Sequence, residues 1–522
     1  MDLLLIKLAT YFSYFLRAYN SWYIFLESKR DCSFSFSVTK TFVFHFCISK
    51  YMFLLLLICI GPNSSSFFGL EKNNILFISI DDFRPKISSY GETKMITPNI
   101  DKLASEGLQF NNAYTNIAVC GASRASLMTG IRPSQNRFND YSTRAHEDTP
   151  KAISLNQIFK DNGYETISYG KIYHHSDDFK EHWSEKDKGQ IQGDFQDPKS
   201  IARIANAERG EYGKKNLTYE YPDVDDYSYN DGKITKNAVN KLKLLKETNQ
   251  PFFMAVGYVS PHLPFIQPKK YWDMYNHDSI KLADNNYQPE NSPLIAMEAQ
   301  HNSAELRKNY LDVPSEGQLS DDLAKNLVHG YYASVTYMDA LIGELIKGLD
   351  DLGLRDNTTI ILWSDHGYFL GEHGFWCKHS TFHEAVKIPF IISSPDYPKN
   401  QVTSSFTELV DVYPTLCELA NITPPEYIQG MSLTPVLKDP SIQLKNEVYT
   451  RYKEGEAVID ENYSYTEFYR GNDYLGNMLY NLKTDLKQNI DISKFPANVE
   501  LVKKYSNKLK LMREYVKKDP SL

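Results

Sequence analysis

Cysteine is scarce in this chain, with six in 522 residues at 32, 47, 59, 120, 377 and 417. Three fall within the first 60 residues, and the sequence leaves open whether Cys377 and Cys417 pair. An excess of positive charge is also missing. Lys and Arg number 57 against 65 Asp and Glu, a net −8, which argues against a nucleic-acid surface built on bulk attraction. A local basic pocket for an anion remains allowed. Within the first 60 residues no clean run of about 18 or more apolar residues occurs, because charges interrupt each candidate span. Three-His and Cys-rich clusters are lacking, which disfavours zinc, and no internal repeat is evident. What is there is an ordinary globular composition, 42% apolar and 23% charged. The length accommodates two packed units, or one large α/β domain with an appendage.

The first 60 residues differ from the rest. They carry Lys7, Arg17, Lys29, Arg30, Lys40 and Lys50 against Asp2, Glu27 and Asp31, among many Phe, Tyr and Leu. After Lys50 and Tyr51, Met52 opens the stretch MFLLLLICIG, followed by small and polar residues to Ser66. A basic flank, a short apolar stretch and a small-residue exit read as a secretory signal with Met52 as initiator; an amino-terminal membrane anchor is the competing reading. Residues 1–70 are therefore expected to be a leader, with no stable membrane span in the mature form and a lysosomal or secreted destination. Sequons at Asn216, Asn357, Asn421 and Asn462 fit a glycosylated secretory protein.

From Asn74 onward, strands and helices alternate. Ile75 to Ile80 is an apolar run ending in Asp81-Asp82, as in a buried parallel strand. Thr97-Pro98 starts a helix, with Thr as N-cap, that Gly107 closes; Ser154 to Gly163 repeats the pattern before a strand at Thr166–Tyr169. Further strands are expected at Phe252–Val259, Thr359–Trp363 and Ile388–Ser393. Leu323 to Leu352 has helical spacing, with Leu327, Tyr331, Val335, Met338, Leu341, Ile342 and Leu345 on one side. This alternation predicts an α/β fold, a large mixed or parallel sheet sandwiched by helices over residues 71–440. Ser176 to Lys233 reads as a turn-rich excursion over the sheet. Residues 441–522 read as a smaller α+β carboxy-terminal subdomain, with strands at Glu447–Tyr452 and Tyr463–Tyr469 and a helix at Val499–Tyr515.

Chemistry-bearing residues cluster just beyond the strand ends: Asp81 and Asp82, Lys171 and His174, His262, Asp365 and His366. In open α/β sheets the ligand crevice lies at that edge, so these residues are expected to meet in one pocket. Singly, an Asp-Asp pair or an Asp-His-Gly is most often a turn. Together, three carboxylates and an imidazole form a nest for a hard divalent cation, and calcium is favoured for its looser geometry. Arg124, Lys171, His174, His262 and Lys378 would be costly to gather without a bound polyanion, such as a sulfate or phosphate group.

The segments NILFISIDDFRP, TPNIDKLASEGLQFNNAY, VCGASRASLMTG, GYETISYGKIYHH, SPHLPF and SDHGYFLGEHGFWCKHS together resemble the sulfatases of the alkaline-phosphatase-like superfamily, over Asn74 to Leu437 and more weakly to the end. DDFRP, GKIYHH, SPHLPF and SDHG with GEHG look most like the iduronate-2-sulfate branch, where His366 replaces the Asn of many relatives. The resemblance implies that Cys120 is oxidised to formylglycine by a formylglycine-generating enzyme. It also implies one calcium ion, held by Asp81, Asp82, Asp365, His366 and the hydrated aldehyde at position 120. Arg124 would stabilise that hydrate, and Lys171, His174, His262 and Lys378 would surround the sulfate. Two departures from the family pattern occur: Ala122 stands where Pro is usual, and Ile131 where a basic residue often follows Thr-Gly, with Arg132 one place later. The implied substrate is a sulfated glycosaminoglycan or other sulfated sugar, with Arg84, Tyr368 and Trp376 placed to hold a uronate. Other sulfatase branches, acting on N-acetylglucosamine or aryl sulfates, a phosphoester hydrolase of the same superfamily and a non-catalytic binder are the alternatives.

Overall fold

The structure, a computed structural model, describes residues 72–189, 193–211, 213–298 and 304–517. The leader expected over residues 1–70 lies outside them. Lys72 onward form one compact unit.

Its centre is an eight-stranded sheet of β1 (Asn74–Ile80), β2 (Leu108–Phe110), β3 (Glu165–Gly170), β4 (Glu185–Lys186), β5 (Phe252–Tyr258), β6 (Thr358–Ser364), β7 (Phe390–Ser393) and β8 (Gln401–Thr403). Their order across the sheet is β8-β2-β7-β6-β1-β5-β3-β4. β1, β5, β6, β3 and β4 run parallel, whereas β7 is antiparallel to both β6 and β2, so the sheet is mixed. β1, β5 and β6 are apolar nearly throughout because both sheet faces are covered. Leu76, Ile78 and Ile80 enter one core, while Ile75 and Phe77 enter the other. Each such side chain contributes on the order of 1.5–3 kcal/mol on burial.

The helices that cover the sheet are α1 (Pro98–Ser105), α2 (Cys120–Thr129), α3 (Leu155–Asp161), α4 (Asn230–Thr248) and α5 (Asp321–Asp351). α1, α4 and α5 pack on the Leu76 side, and α2 and α3 on the Phe77 side. The seven residues expected along one side of α5 are all buried. α3 begins as expected, with the Ser154 hydroxyl accepting from the Gln157 N–H at 3.3 Å. α1 does not. Thr97 makes no side-chain cap; instead Asp339 of α5 accepts from the backbone N–H groups of Asn99 and Ile100 at 3.2 and 2.8 Å. A carboxylate from a neighbouring helix supplies the charge that the helix start favours, and no local pattern encodes it.

The excursion expected over Ser176 to Lys233 holds more order than its composition predicts. It contributes edge strand β4, a helix at Pro198–Ala205 and the first turn of α4. The buried apolar side chains of α4, Ile234, Ala238, Leu242 and Leu245, form a narrow stripe among lysines, which hides its period. After Pro440 comes a four-stranded antiparallel meander of β9 (Glu447–Tyr452), β10 (Gly455–Asp460), β11 (Tyr463–Arg470) and β12 (Asp473–Asn481), followed by α6 (Val499–Lys517). β10 and β12 complete the two strands expected there. One face packs on α6 through Val458, Tyr465 and Leu479. The other packs through Val448, Ile459 and Phe468 on Tyr114, Phe375 and Phe382 of the main body. The eight-stranded sheet and the meander thus share one compact unit.

Candidate active site

Register sets the site. Ile80 of β1 is level with Tyr258 of β5 and Ser364 of β6, and Gly170 of β3 is level with Gly257. The segments leaving these strands therefore start along one edge, in the order Asp365, Asp81, His262, Lys171. The paired glycines let β3 and β5 exit close together: a Cβ on Gly257 would lie 2.1 Å from the Lys171 carbonyl oxygen.

The β1 exit is fixed by several bonds. The Tyr331 hydroxyl of α5 donates to the Asp82 carbonyl at 2.8 Å, and the Ser364 hydroxyl accepts from the Phe83 N–H at 3.0 Å. Asp82 is held at φ +61°, a left-handed conformation that a non-glycine residue adopts only when its surroundings impose it.

Every residue of the Cys120 motif on α2 is buried, and several have structural roles. Gly121 is required because a Cβ there would lie 2.4 Å from the Tyr141 carbonyl oxygen. The Ser123 hydroxyl donates to the Asp365 carbonyl at 2.7 Å, tying α2 to the β6 exit. Ser126 and Thr129 donate to the Ile131 and Ala125 carbonyls, both at 2.7 Å, and Gly130 ends the helix at φ +69°. Cys120 is the first residue of α2, and its Sγ lies 3.2 Å from His366 Nε2.

Ligand atoms of Asp81, Asp82, Cys120 and His366, all buried, lie within 4.8 Å of one another. Asp365 stands beside that quartet. Its Oδ2 accepts from Arg124 Nε at 2.9 Å, and its Oδ1 accepts from the His366 and Asp82 N–H groups at 3.0 and 3.3 Å. Arg124 is completely buried and also donates through Nη1 to Ser79 Oγ at 2.8 Å and to the Lys171 and Ile172 carbonyls. Lys171 is bonded to Asp81 Oδ2. Lys378 Nζ lies 3.2 Å from Asp82 Oδ1, 3.1 Å from His262 Nε2 and 3.3 Å from Glu305 Oε1. The structure thus brings Asp81, Asp82, Cys120, Arg124, Lys171, His262, Asp365, His366 and Lys378 into one contact network. His174 stands at its margin, half-buried, with its ring 4.8 Å from that of His175.

The charges are strongly coupled. Burial raises Asp82 to about 7, with Lys378 opposing and Asp81 adding to the rise. Burial also acts on Asp81, but Lys171, His262 and Arg124 outweigh it and hold that carboxyl well below the usual range. Burial followed by the charge of Lys378 lowers His262 to about 4, and burial with Lys171 lowers His174 to about 2. The Cys120 thiol is pushed well above its ordinary value, first by burial and then by Asp81.

Three sequence readings are corrected or completed. Arg84 cannot hold a uronate, because its guanidinium is buried and bonded to Glu372 at 2.8 Å and Glu384 at 2.6 Å. Tyr368 and Trp376 are core residues, with the Tyr368 ring stacked on Tyr331 at 5.3 Å. Cys377 and Cys417 are buried free thiols in separate cores, so they do not pair. Glu305, on the short helix Ala304–Asn309, was not legible: it follows no strand, and no motif marks it. Among the sequons, Asn421 and Asn462 are exposed, while Asn216 and Asn357 are half-buried.

Residues 73–422 match the family model described as Sulfatase, and residues 371–515 match one described as N-sulphoglucosamine sulphohydrolase, C-terminal. The chain is 33% identical to iduronate 2-sulfatase of Mus musculus over 390 residues, covering 67% of this chain and 69% of that protein. It is 31% identical to iduronate 2-sulfatase of Homo sapiens over 407 residues, covering 70% and 72%. Among solved structures, it resembles the phosphonate monoester hydrolase of Silicibacter pomeroyi with a TM-score of 0.71 at 19% identity, over 86% of this chain and 97% of that one. A protein solved in complex with its substrate D-glucosamine-2-N,6-O-disulfate gives 0.66 at 22% identity, over 86% and 99%. These neighbours share the alkaline-phosphatase-like architecture of a mixed sheet between helices. The chain belongs to the sulfatase family and is a sulfuric ester hydrolase.

Proposed function

We propose that this sulfatase removes the 2-O-sulfate of iduronate at the non-reducing end of heparan or dermatan sulfate, using a formylglycine made from Cys120 and one calcium ion. The observation that carries the reading is the buried quartet of Asp81, Asp82, Cys120 and His366. Asp81 Oδ1 and Asp82 Oδ1 are buried yet accept no hydrogen bond from the described residues, although cations stand near both. Such oxygens are costly unless a ligand completes them. The set fits a hard cation, which Asp81, Asp82, His366 and the neighbouring Asp365 would hold. The unmodified thiol is a poor nucleophile here, because burial and Asp81 keep it protonated. When present, calcium and the hydrated aldehyde would supply a hydroxyl nucleophile of lowered pKa at the start of α2.

The other residues have separable roles. Arg124, locked by Asp365, Ser79 and two carbonyls, presents a fixed positive charge. Lys171 and Lys378 line an anion-attracting floor. His262 Nδ1–H donates to the Leu263 carbonyl at 2.6 Å, which leaves Nε2 to accept from Lys378 Nζ. The His262–Lys378 pair is thereby arranged to deliver a proton to the departing sugar oxygen. His174, kept neutral, is the proposed proton acceptor for releasing sulfate. A secretory route to lysosome or exterior, and maturation by a formylglycine-generating enzyme, accompany this reading.

Mass spectrometry of the tryptic peptide spanning residue 120 tests it. Formylglycine at that position is the expected result, and an unmodified cysteine in active enzyme would sink it. Desulfation assays on iduronate 2-sulfate, N-acetylglucosamine 6-sulfate and aryl sulfate disaccharides or monoesters then decide the branch.

A further inference from the structure

With Arg84 committed to two glutamates, the grip on the rest of the substrate must lie elsewhere. A cavity of about 250 Å³ lies between residues 295–298, residues 379–381 and the turn from β9 to β10, with Phe468 and Arg470 of β11 also lining it. That volume far exceeds the ~10–15 Å³ a single water needs. The cavity begins where the catalytic cluster ends. His379 follows Lys378 in the chain, and its Nδ1 is 3.6 Å from Glu305 Oε2, while Glu305 Oε1 is 3.3 Å from Lys378 Nζ. The Tyr452 ring lies 5.2 Å from the His379 ring and provides an apolar face, and Ser380 and Thr381 provide hydroxyl groups.

Charge in this cavity is unevenly matched. Its two carboxylates, Glu454 and Glu298, are both engaged by Arg470, at 3.2 and 3.6 Å. Lys453 is exposed, its ammonium lies 5.6 Å from the Tyr452 ring centroid, and it has no carboxylate partner among the described residues. Its backbone is unusual as well. Tyr452 pairs with Gly455, so Lys453 and Glu454 form a two-residue hairpin loop, and Lys453 sits at φ +45°. Hairpin loops of this length favour glycine or asparagine where φ is positive. A lysine there is strained, and Arg451 Nη2 donating to the Lys453 carbonyl at 3.0 Å holds it in place. The backbone thus gives up its preferred residue at a position that lines the cavity and places an ammonium without a carboxylate partner, among the described residues, beside the Tyr452 ring.

The geometry points to a second sugar subsite: we propose that this cavity takes an anionic sugar residue adjoining the one that carries the scissile sulfate. Lys453 meets its carboxylate or sulfate, and Tyr452 lies against its ring. The subsite rests on reading the substrate as a sulfated polysaccharide. It gives the carboxy-terminal meander a role in selecting chains over isolated esters.

The test compares kcat/KM on a heparin-derived sulfated tetrasaccharide with kcat/KM on 4-nitrophenyl sulfate, for wild type, Lys453→Glu and Lys453→Gly. The ratio of tetrasaccharide to aryl ester is expected to fall roughly tenfold in Lys453→Glu, mainly through KM. Lys453→Gly should lower the ratio too, while raising the thermal midpoint by relieving the left-handed strain. A ratio within twofold of wild type in both variants overturns the subsite. If the wild type hydrolyses neither ester, the proposed function fails, and calorimetric titration of the tetrasaccharide into the full chain decides the subsite alone. Weaker binding by Lys453→Glu supports it then, and equal binding overturns it.

Discussion

Two buried ionic clusters in this protein look alike in composition and differ in completeness. Beneath the carboxy-terminal meander, Glu408 Oε1 accepts from Arg132 Nη1 at 2.5 Å, Asn116 Nδ2 at 3.0 Å and the Tyr449 N–H at 3.0 Å. Its Oε2 accepts from Arg132 Nη2 at 2.5 Å and Lys445 Nζ at 2.7 Å. Asp411 is likewise bonded to Lys445 and to the N–H groups of Glu408 and Met431. At the sheet edge, Asp82 Oδ1 stands 3.2 Å from Lys378 Nζ and 3.3 Å from His366 Nδ1 yet accepts a hydrogen bond from neither. Asp81 Oδ1, 3.6 Å from Arg124 Nη2, is in the same position. In the first cluster every carboxylate oxygen of Glu408 and Asp411 is bonded, although Arg132 Nε has no partner among the described residues, and the cluster ties the main body to the meander. The second keeps oxygens in reserve, which a structure tolerates where something binds.

Breaking each cluster should separate rate from stability. Cys120→Ser is expected to lower kcat/KM on the order of 10⁴–10⁶-fold, with an unchanged thermal midpoint; substantial turnover would contradict the nucleophile assignment. Asp82→Asn should cost about 10²–10³-fold in rate while leaving the denaturation midpoint unchanged or raised, because it removes a charge that burial already opposes. Glu408→Gln should do the reverse. It strands Arg132, so stability is expected to fall by about 3–5 kcal/mol, and kcat of the folded fraction should stay near wild type. If Glu408→Gln abolished turnover in fully folded protein, the division between the two clusters would be lost.

Acid sharpens the same contrast. Burial raises the Glu408 carboxyl, but Arg132 and Lys445 outweigh it and hold the folded value below the ordinary one. A depressed carboxylate stabilises the fold above its unfolded value of about 4.3 and loses that contribution as pH falls toward the folded value. The stability gap between wild type and Glu408→Gln should therefore be full at pH 7 and shrink progressively below about pH 4.3. Urea midpoints at pH 7, 5 and 3 measure it.

These contrasts also mark what the sequence could reveal. β1, β5 and β6 were legible because burial on both faces makes them continuous apolar runs. Asp81, Asp82, His262, Asp365 and His366 were legible because they follow those runs directly, and parallel register then brings them to one edge; the roles of Cys120, Arg124 and Lys378 were legible only through the motifs that carry the family resemblance. Glu305 and Asp339 were not, since each acts through a neighbour remote in sequence and sits in no local pattern. Arg84 was misread for a related reason. An arginine just after the acidic turn at the end of β1 looks available until Glu372 and Glu384, 288 and 300 residues away, are seen to claim it.

Helix starts give the finest version of this lesson. Thr97 and Ser154 are both hydroxyl residues directly before a helix, yet of the two only Ser154 accepts from a backbone N–H of its helix, that of Gln157. Ser154→Ala is therefore expected to cost about 1 kcal/mol. Thr97 is buried with its hydroxyl accepting and donating nothing among the described residues. Replacing it with valine keeps the shape and removes an unsatisfied polar group, so Thr97→Val should be neutral or stabilising. Chemical denaturation of both variants reads the difference directly. A loss of about 1 kcal/mol in Thr97→Val would show that the threonine caps α1 after all, and that Asp339 does not do so alone.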